Sequence, residues 1–538
     1  MIENMRIRNE HKVHLSVRLF WLAIIPFFFV GCKDDDPVTP FVRLLENQKM
    51  YSALFDNDIT YAVLLPEGYD TSTESYPVVY LLHGYGDTER AWYTSGGLQY
   101  YADQYTAAGD IVPMIYVMPA AYYSYYVNKF SGDYPYMDMM TTELVPTIDS
   151  LFRTRKDKSS RAVMGYSMGG YGALILPALN PDVFSVAIPL SMSFRTDEQY
   201  MAEPQDVFNS QWGNLFGGFG TTGTARLTDY FIQHSPFHFF GTGDLSRFDG
   251  LKILVDCGDN EESLSITSDE MHTFMRDNLI DHEYRVRNGG HSFEYWKKSY
   301  PEAIKFISNA FEDLPHPSEP VPAAIGSLID NSVIETYQAQ GLAINVMTPV
   351  DYVISSANFP VLYILHDYED GKRDESLIST FSLLRNNMIS GKLTRSIVVE
   401  IPVEGTDITN EVMDEIVGLM DSGYHTIASR QGRVLLGNEG GGVMAATLVL
   451  NNPQEFASCY LFNAFLPDES IGATGEVFYY QDVTDESSHY RGNHQLYAEI
   501  RNENIDYEYR VRQGGQNYQA FINGLSESIS SIKETLMN

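Results

Sequence analysis

Gly165-Tyr166-Ser167-Met168-Gly169 sets a serine midway between two glycines. That spacing suits a strained strand-to-helix turn that lifts a serine hydroxyl clear of a sheet. The glycines let neighbouring backbone approach where a Cβ would collide. The apolar run Ala162-Val163-Met164 precedes it as a strand, and Tyr171-Gly172-Ala173-Leu174-Ile175-Leu176 follows as the start of a helix. A serine hydroxyl is a weak nucleophile until a base takes its proton. His291, in Asn288-Gly289-Gly290-His291, comes later on a glycine-rich loop after a strand-like run and is the expected base.

A carboxylate between them in sequence must orient the imidazole. Asp256-Cys257-Gly258-Asp259-Asn260-Glu261-Glu262 leaves a strand end and offers three candidates: Glu261 first, then Asp259 and Glu262. Charge developing on a carbonyl oxygen calls for two converging backbone N–H donors. Position nominates Met168, directly after the serine, and Tyr85 in the turn His83-Gly84-Tyr85-Gly86. Such a set performs acyl chemistry through a serine ester. Tyr122, Tyr123 and Tyr125 follow another strand, where aromatic faces can stack on a sugar or a phenolic acyl group; plain packing is the alternative.

The same motifs recur, altered, further along the chain. Residues 75–87 (SYPVVYLLHGYGD) match 358–370 (NFPVLYILHDYED), 161–170 (RAVMGYSMGG) match 433–442 (RVLLGNEGGG), and 284–291 (YRVRNGGH) match 509–516 (YRVRQGGQ). Three matches in the same order define an internal repeat. The serine position holds Glu439, the histidine position Gln516, and Gly84 is replaced by Asp367, so the second repeat is expected to be catalytically inactive. Either glycan binding or support of the first repeat is its expected role, against a domain drifting without a ligand. The proline-rich residues 314–324 read as a linker. The expected organisation is a targeting segment at 1–32, a tether at 33–44, an esterase domain at 45–313, that linker, and a degenerate domain at 325–538.

Within the repeats, short apolar runs at 78–82, 114–118, 162–164 and 253–255 alternate with amphipathic stretches such as 141–152 and 268–279. Near-continuous apolar strands suit a parallel sheet covered on both faces. The expected fold class is therefore α/β: two tandem domains, each a doubly wound, mostly parallel sheet. Residues 193–248, rich in Phe and Gly, have no counterpart in the second repeat and read as a cap beside the site or a surface excursion. Acidic residues outnumber basic ones 71 to 36, a formal charge of −35, which repels phosphate backbones and excludes nucleic acid as an expected partner. Cys257 and Cys459 sit in separate apolar runs, so no disulfide framework is indicated. His234 and His238 are four apart, but Ser235-Pro236 breaks the helix between them and no third metal ligand follows.

The elbow, residues 77–84, the strand ending in Cys257-Gly258 and Gly289-Gly290-His291 together resemble the putative-esterase family. That family includes feruloyl and acetyl-xylan esterases of carbohydrate esterase family one, esterase D and the mycolyltransferases. The resemblance spans nearly all of the first repeat. It implies an α/β-hydrolase fold and ester hydrolysis through an acyl-enzyme, without metal or other cofactor. It also implies the acid at the third residue after the glycine of the Cys-Gly pair, which is Glu261. Most hydrolytic members have aspartate there, so this chain departs from the family at that position.

Arg6, Arg8, Lys12 and Arg18 precede an apolar run, residues 19–31, that is short for a membrane span and interrupted by Pro26. Ending at Gly31-Cys32, it resembles a bacterial lipoprotein signal with Cys32 as the lipidated residue. Lys33-Asp34-Asp35-Asp36 is similar to tags that route lipoproteins to the outer cell surface. A plain secreted protein is the alternative. The expected function is a cell-surface, lipid-anchored esterase that removes feruloyl or acetyl groups from plant polysaccharide. The alternatives are an esterase for another exogenous ester, such as a siderophore lactone or aryl ester, and a glycan-binding lipoprotein without turnover.

Overall fold

Strands such as Val78–Leu82, apolar at every position, can be buried on both sides only where helices cover both faces of the sheet. The computed structural model describes residues 42–241, 245–261, 263–317, 321–369, 371–403, 407–464 and 477–536. Contacts divide the chain into Met1–Val42 and Arg43–Asn538, and every element below belongs to the second unit. Cys32 and the targeting segment lie outside the described residues.

The first half contributes β1 (Leu44–Ser52), β2 (Asn57–Leu64), β3 (Val78–Leu82), β4 (Ile115–Pro119), β5 (Arg161–Tyr166), β6 (Val186–Leu190), β7 (Lys252–Gly258) and β8 (Glu283–Arg287). Their order is β1-β2-β4-β3-β5-β6-β7-β8, antiparallel from β1 to β4 and parallel from β4 to β8. The second half contributes β9 (Glu335–Ala339), β10 (Leu342–Met347), β11 (Val361–His366), β12 (Ile397–Pro402), β13 (Arg433–Asn438), β14 (Ser458–Phe462), β15 (Phe478–Thr484) and β16 (Tyr507–Arg512). Its order, β9-β10-β12-β11-β13-β14-β15-β16, repeats that of the first half step for step.

The halves join edge to edge. β8 and β16 pair antiparallel through Val286 and Val511, so among the described residues one sheet of sixteen strands runs through both. The two valines are equivalent in the repeat, and contact between equivalent residues is the mark of a two-fold, self-complementary junction.

Period-two alternation sorts the side chains between two layers. Val78, Tyr80 and Leu82 face a layer that includes the helix Met168–Leu179, while Val79 and Leu81 face one that includes the helix Phe293–Phe311. The first layer continues across the seam through Tyr490, Tyr497, Tyr509 and Val511. Each such side chain is worth roughly 1.5–3 kcal/mol when fully buried, which makes the seam part of the core.

The expected helix at 141–152 is a π-helical turn, Met139–Leu144, running into the α-helix Val145–Leu151. The helix expected at 268–279 starts earlier and spans Ser263–Asp277. The helix after the serine starts at Met168 rather than Tyr171: tertiary packing overrides the poor propensity of Gly169 and Gly170. Cys257 in β7 and Cys459 in β14 are free and buried. Among the described residues, no helix is long and apolar enough to cross a membrane.

Candidate active site

Ser167 joins β5 to the helix Met168–Leu179 with φ 59° and ψ −121°. A non-glycine residue there stores of the order of 1–3 kcal/mol of strain, which the surroundings must hold. Its N–H donates to Leu190 O (3.0 Å), and its carbonyl accepts from Tyr171 N–H (3.1 Å) and Ser193 N–H (3.0 Å). The helix presses so close to β3 that a Cβ on Gly169 would lie 2.2 Å from Leu82 O. Only glycine fits there.

β7 delivers the candidate acid. Gly258 ends that strand against the histidine loop, where a Cβ would lie 2.3 Å from Gly289 O. Glu261 is 2 % exposed. Its Oε1 accepts from Gly258 N–H (2.8 Å) and Ser191 Oγ–H (2.6 Å), and its Oε2 lies 2.9 Å from His291 Nδ1. With Nδ1–H donating to the carboxylate, Nε2 is the nitrogen left to take a proton. The His291 ring rests edge-on against Trp296 (centroids 5.1 Å apart), which stacks on Tyr166 (4.1 Å), the residue preceding Ser167. Trp296 Nε1–H donates to Ser191 Oγ at 2.8 Å, closing a ring of contacts around Glu261.

Asp259, the second candidate acid, is turned away. Its Oδ1 accepts from Gly289 N–H (2.9 Å), and its Oδ2 from Tyr509 N–H (3.1 Å) and Arg510 Nη1 (2.9 Å). Burial raises its pKa above the ordinary carboxylate range, against the opposing pull of Arg510. Glu262 lies outside the described residues.

Met168 opens its helix, so its N–H is in the first turn, where no intrahelical acceptor exists. Tyr85 sits in the turn closed by Asp87 N–H on Gly84 O at 3.1 Å. His83, which the sequence reading did not single out as a site residue, pins that turn. Its Nδ1–H donates to Gly84 O (2.8 Å) while Nε2 accepts from Ala121 N–H (2.8 Å). Burial lowers its pKa, keeping it in the neutral form that both bonds require. Ser191, Trp296 and Asp87, whose carboxylate accepts from Tyr166 OH at 2.6 Å, were also not singled out. Ser191 and Trp296 carry no motif and Asp87 ends the repeated stretch 75–87; the order of the loops brings them together here.

Tyr122 and Tyr123 are 50 % and 60 % exposed and line a cavity of about 550 Å³ with Phe55, Tyr134, Gln211 and Leu215. Tyr123 packs on Tyr85 with centroids 4.6 Å apart, so the cavity adjoins the Gly84 turn. Tyr125 differs from the sequence expectation of substrate contact. At 1 % exposure its ring is enclosed by Trp212 and Tyr171, and its hydroxyl lies 3.3 Å from both Ser193 Oγ and Gln211 Oε1. Of the stretch 193–241, Ser193, Phe194 and Gln211 lie beside the site. Phe194 stacks on Tyr171, Tyr200 stacks on Phe231, and the Thr196–Gln199 capping box starts the helix Asp197–Ala202.

His234 Nδ1 bonds Tyr230 O and His238 Nε2 bonds Asp197. Among the described residues no three His, Cys, Asp or Glu side chains assemble as a metal site.

The equivalent positions in the second half keep the backbone and lose the groups. Glu439 stands at φ 48°, as Ser167 stands at 59°. Asp367 Oδ2 accepts from Gly440 N–H at 3.1 Å, and Gly440 is the counterpart of Met168. Asp367 fits because Asn438 replaces Tyr166: the Asn438 amide exchanges two hydrogen bonds with the Asp367 backbone (2.9 and 2.8 Å). Gln516 Oε1 accepts from Ser487 Oγ–H at 3.1 Å, and Ser487 holds the place of Glu261. No nucleophile–base pair stands at these positions, and the Gly440 N–H already has an acceptor.

The model of the family described as Putative esterase matches residues 52–307. Over 130 residues the chain is 35% identical to an endo-1,4-beta-xylanase/feruloyl esterase of Xylanibacter ruminicola, covering 23% of this chain and 18% of that protein. Over 116 residues it is 40% identical to an esterase of Mycobacterium tuberculosis, covering 21% and 24%. The matches thus span about a fifth of the length of these curated relatives. A solved ferulic acid esterase is 27% identical, with 50% of this chain and 98% of that one covered and a TM-score of 0.43.

Proposed function

Because the putative-esterase family model matches residues 52–307, we propose that this chain is a serine carboxylester hydrolase. Ser167 Oγ attacks the ester carbonyl and its proton passes to His291 Nε2. The N–H groups of Met168 and Tyr85 receive the charge on the carbonyl oxygen. Collapse of the tetrahedral adduct expels the alcohol, which takes the proton from His291 and leaves an acyl-Ser167 ester. Water, deprotonated by the same imidazole, then releases the acid. Glu261 holds the tautomer and stabilises the imidazolium.

The observation that carries this reading is the 2.9 Å contact between Glu261 Oε2 and His291 Nδ1, on a ring that packs through Trp296 and Tyr166 to the strained Ser167. Feruloyl or acetyl groups on plant polysaccharide are the proposed substrates. The exposed tyrosines of the cavity and the likeness to the endo-1,4-beta-xylanase/feruloyl esterase of Xylanibacter ruminicola support that choice. Export and anchoring through Cys32 at the cell surface complete the proposal, supported by the basic, apolar and Gly31-Cys32 pattern.

The test is hydrolysis of methyl ferulate and 4-nitrophenyl acetate by the parent and by Ser167→Ala, with membrane fractionation of Cys32→Ala cells as its second arm. Turnover in the parent that falls at least about a thousandfold in Ser167→Ala is expected, together with release of the Cys32 variant from membranes. Equal rates in parent and Ser167→Ala end the serine reading. Unchanged fractionation ends the anchor.

A further inference from the structure

We infer that the second half serves the reaction through Arg510, a positioning residue that fixes the common root of the loops carrying Glu261 and His291. The inference rests on the roles proposed above for those two residues. Asp259 lies two residues before Glu261, and its Oδ1 accepts from Gly289 N–H (2.9 Å), two residues before His291. Asn260 N–H in turn reaches Gly289 O at 2.9 Å. Acid and base therefore leave one knot of backbone.

That knot is held from outside its own half. Asp259 is fully buried. Its Oδ2 takes the Tyr509 N–H (3.1 Å) and Arg510 Nη1 (2.9 Å), while its backbone carbonyl takes the hydroxyls of Tyr497 and Tyr507, each at 3.0 Å, and Arg501 Nη1 at 3.5 Å. Gly289 is the first half's one donor to these acceptors among the described residues; the other five come from the second half. Arg510 is itself braced by Glu508 and by the Tyr509 carbonyl (2.8 Å). A buried carboxylate stays charged and in place only while its donors stay. Without Arg510, Asp259 loses the cation on its carboxylate, the root shifts, and the Glu261–His291 contact loosens. That pair carries the proton the reaction moves, so its loosening is read in the pH dependence of turnover.

The experiment uses the full chain with Arg510→Met, Arg510→Lys and Tyr507→Phe, and reads kcat, KM and the pH dependence of kcat/KM. Arg510→Met is expected to lower kcat about tenfold to a hundredfold, with KM within about twofold. Its rising pH limb should move, and Arg510→Lys should recover part of both effects. Arg491→Ala removes the exposed seam pair with Asp277, away from the knot, and should leave the limb where it is. NMR titration of His291 in the Ser167→Ala background gives the same reading without turnover, so a failure of the ester chemistry and a failure of the positioning are separate results. Should Arg510→Met not fold, Arg510→Lys and Tyr507→Phe are read in the same way. An unmoved limb and an unmoved His291 titration, whether or not kcat falls, overturn the inference and leave the second half a purely structural support.

Discussion

The carboxylates of Asp259 and Asp485 make the same contacts in opposite directions. Asp259 accepts from Gly289 N–H in its own half and from Tyr509 N–H and Arg510 in the other. Asp485 accepts from Gly514 N–H in its own half (2.8 Å) and from Tyr284 N–H (3.3 Å) and Arg285 Nη1 (2.5 Å) in the other. Each follows the penultimate strand of its half and reaches the last strand of its neighbour. The polar contacts thus repeat the two-fold relation that Val286 and Val511 establish in the sheet.

Separating the halves breaks both exchanges at once. A chain lacking residues 325–538 exposes the β8 edge and strips Asp259 of its second-half donors. An uncovered strand edge templates pairing with another chain. The fragment is therefore expected to self-associate or precipitate, as seen by light scattering. A monodisperse monomer with full esterase activity would refute a supporting role for the second half.

Glu261 serves two sets of partners with two oxygens. Glu261→Gln keeps the shape, but an amide N–H facing Nδ1 imposes the tautomer that cannot take the Ser167 proton. The expected loss in kcat is about 10³–10⁴-fold, measured on 4-nitrophenyl acetate at saturating substrate. Glu261→Asp is one methylene shorter and should fall between that variant and the parent. Parental kcat in Glu261→Gln would show that the contact has no part in turnover.

Tyr123 and Tyr125 are two residues apart and should respond differently. Tyr123→Ala removes an exposed ring from the cavity; KM for methyl ferulate should rise roughly fivefold to tenfold, with little change for 4-nitrophenyl acetate. Tyr125→Ala empties a buried site and should cost about 3–5 kcal/mol, read as a lower melting temperature. If Tyr123→Ala leaves both KM values alone, the cavity does not hold the aromatic acyl group.

His366 sets a pH dependence of stability. Burial pulls its pKa down to about 3, and burial also lowers His83, His234, His272 and His282. A folded pKa below the unfolded value of about 6.5 means that the unfolded chain takes up protons the folded chain refuses. The stability is whole above about pH 6.5 and is lost as pH falls toward the folded value. Both ring nitrogens of His366 lack a hydrogen-bond partner among the described residues, and the ring stacks on Tyr368 with centroids 4.0 Å apart, so phenylalanine fits the site. His366→Phe should match the parent's melting temperature near pH 8 and exceed it at pH 5. A constant difference across that range would contradict the linkage.

Much of this architecture was legible in the chain, for local reasons. Apolar runs such as 78–82 and 253–255 announce strands buried on both faces, and the sheet they form is parallel from β4 to β8. Less was legible at the site. The segment after β7 offered Glu261 first, with Asp259 and Glu262 left open as alternatives, and Tyr122, Tyr123 and Tyr125 read alike. Asp259 goes to the seam and Glu261 to His291 because residues about 250 positions away claim the first.

By itself the sequence determined the α/β class, the internal repeat and the order in which serine, carboxylates and histidine occur. Those properties reside in periodicity, spacing and short motifs, which a few neighbouring residues specify. The tertiary structure alone decided where Asp259 goes, which tyrosines face solvent, and that the two repeats share one sheet, of sixteen strands among the described residues. These depend on which distant strands meet at an edge, and on buried polar groups that must find their partners across it, information no local window of the chain contains.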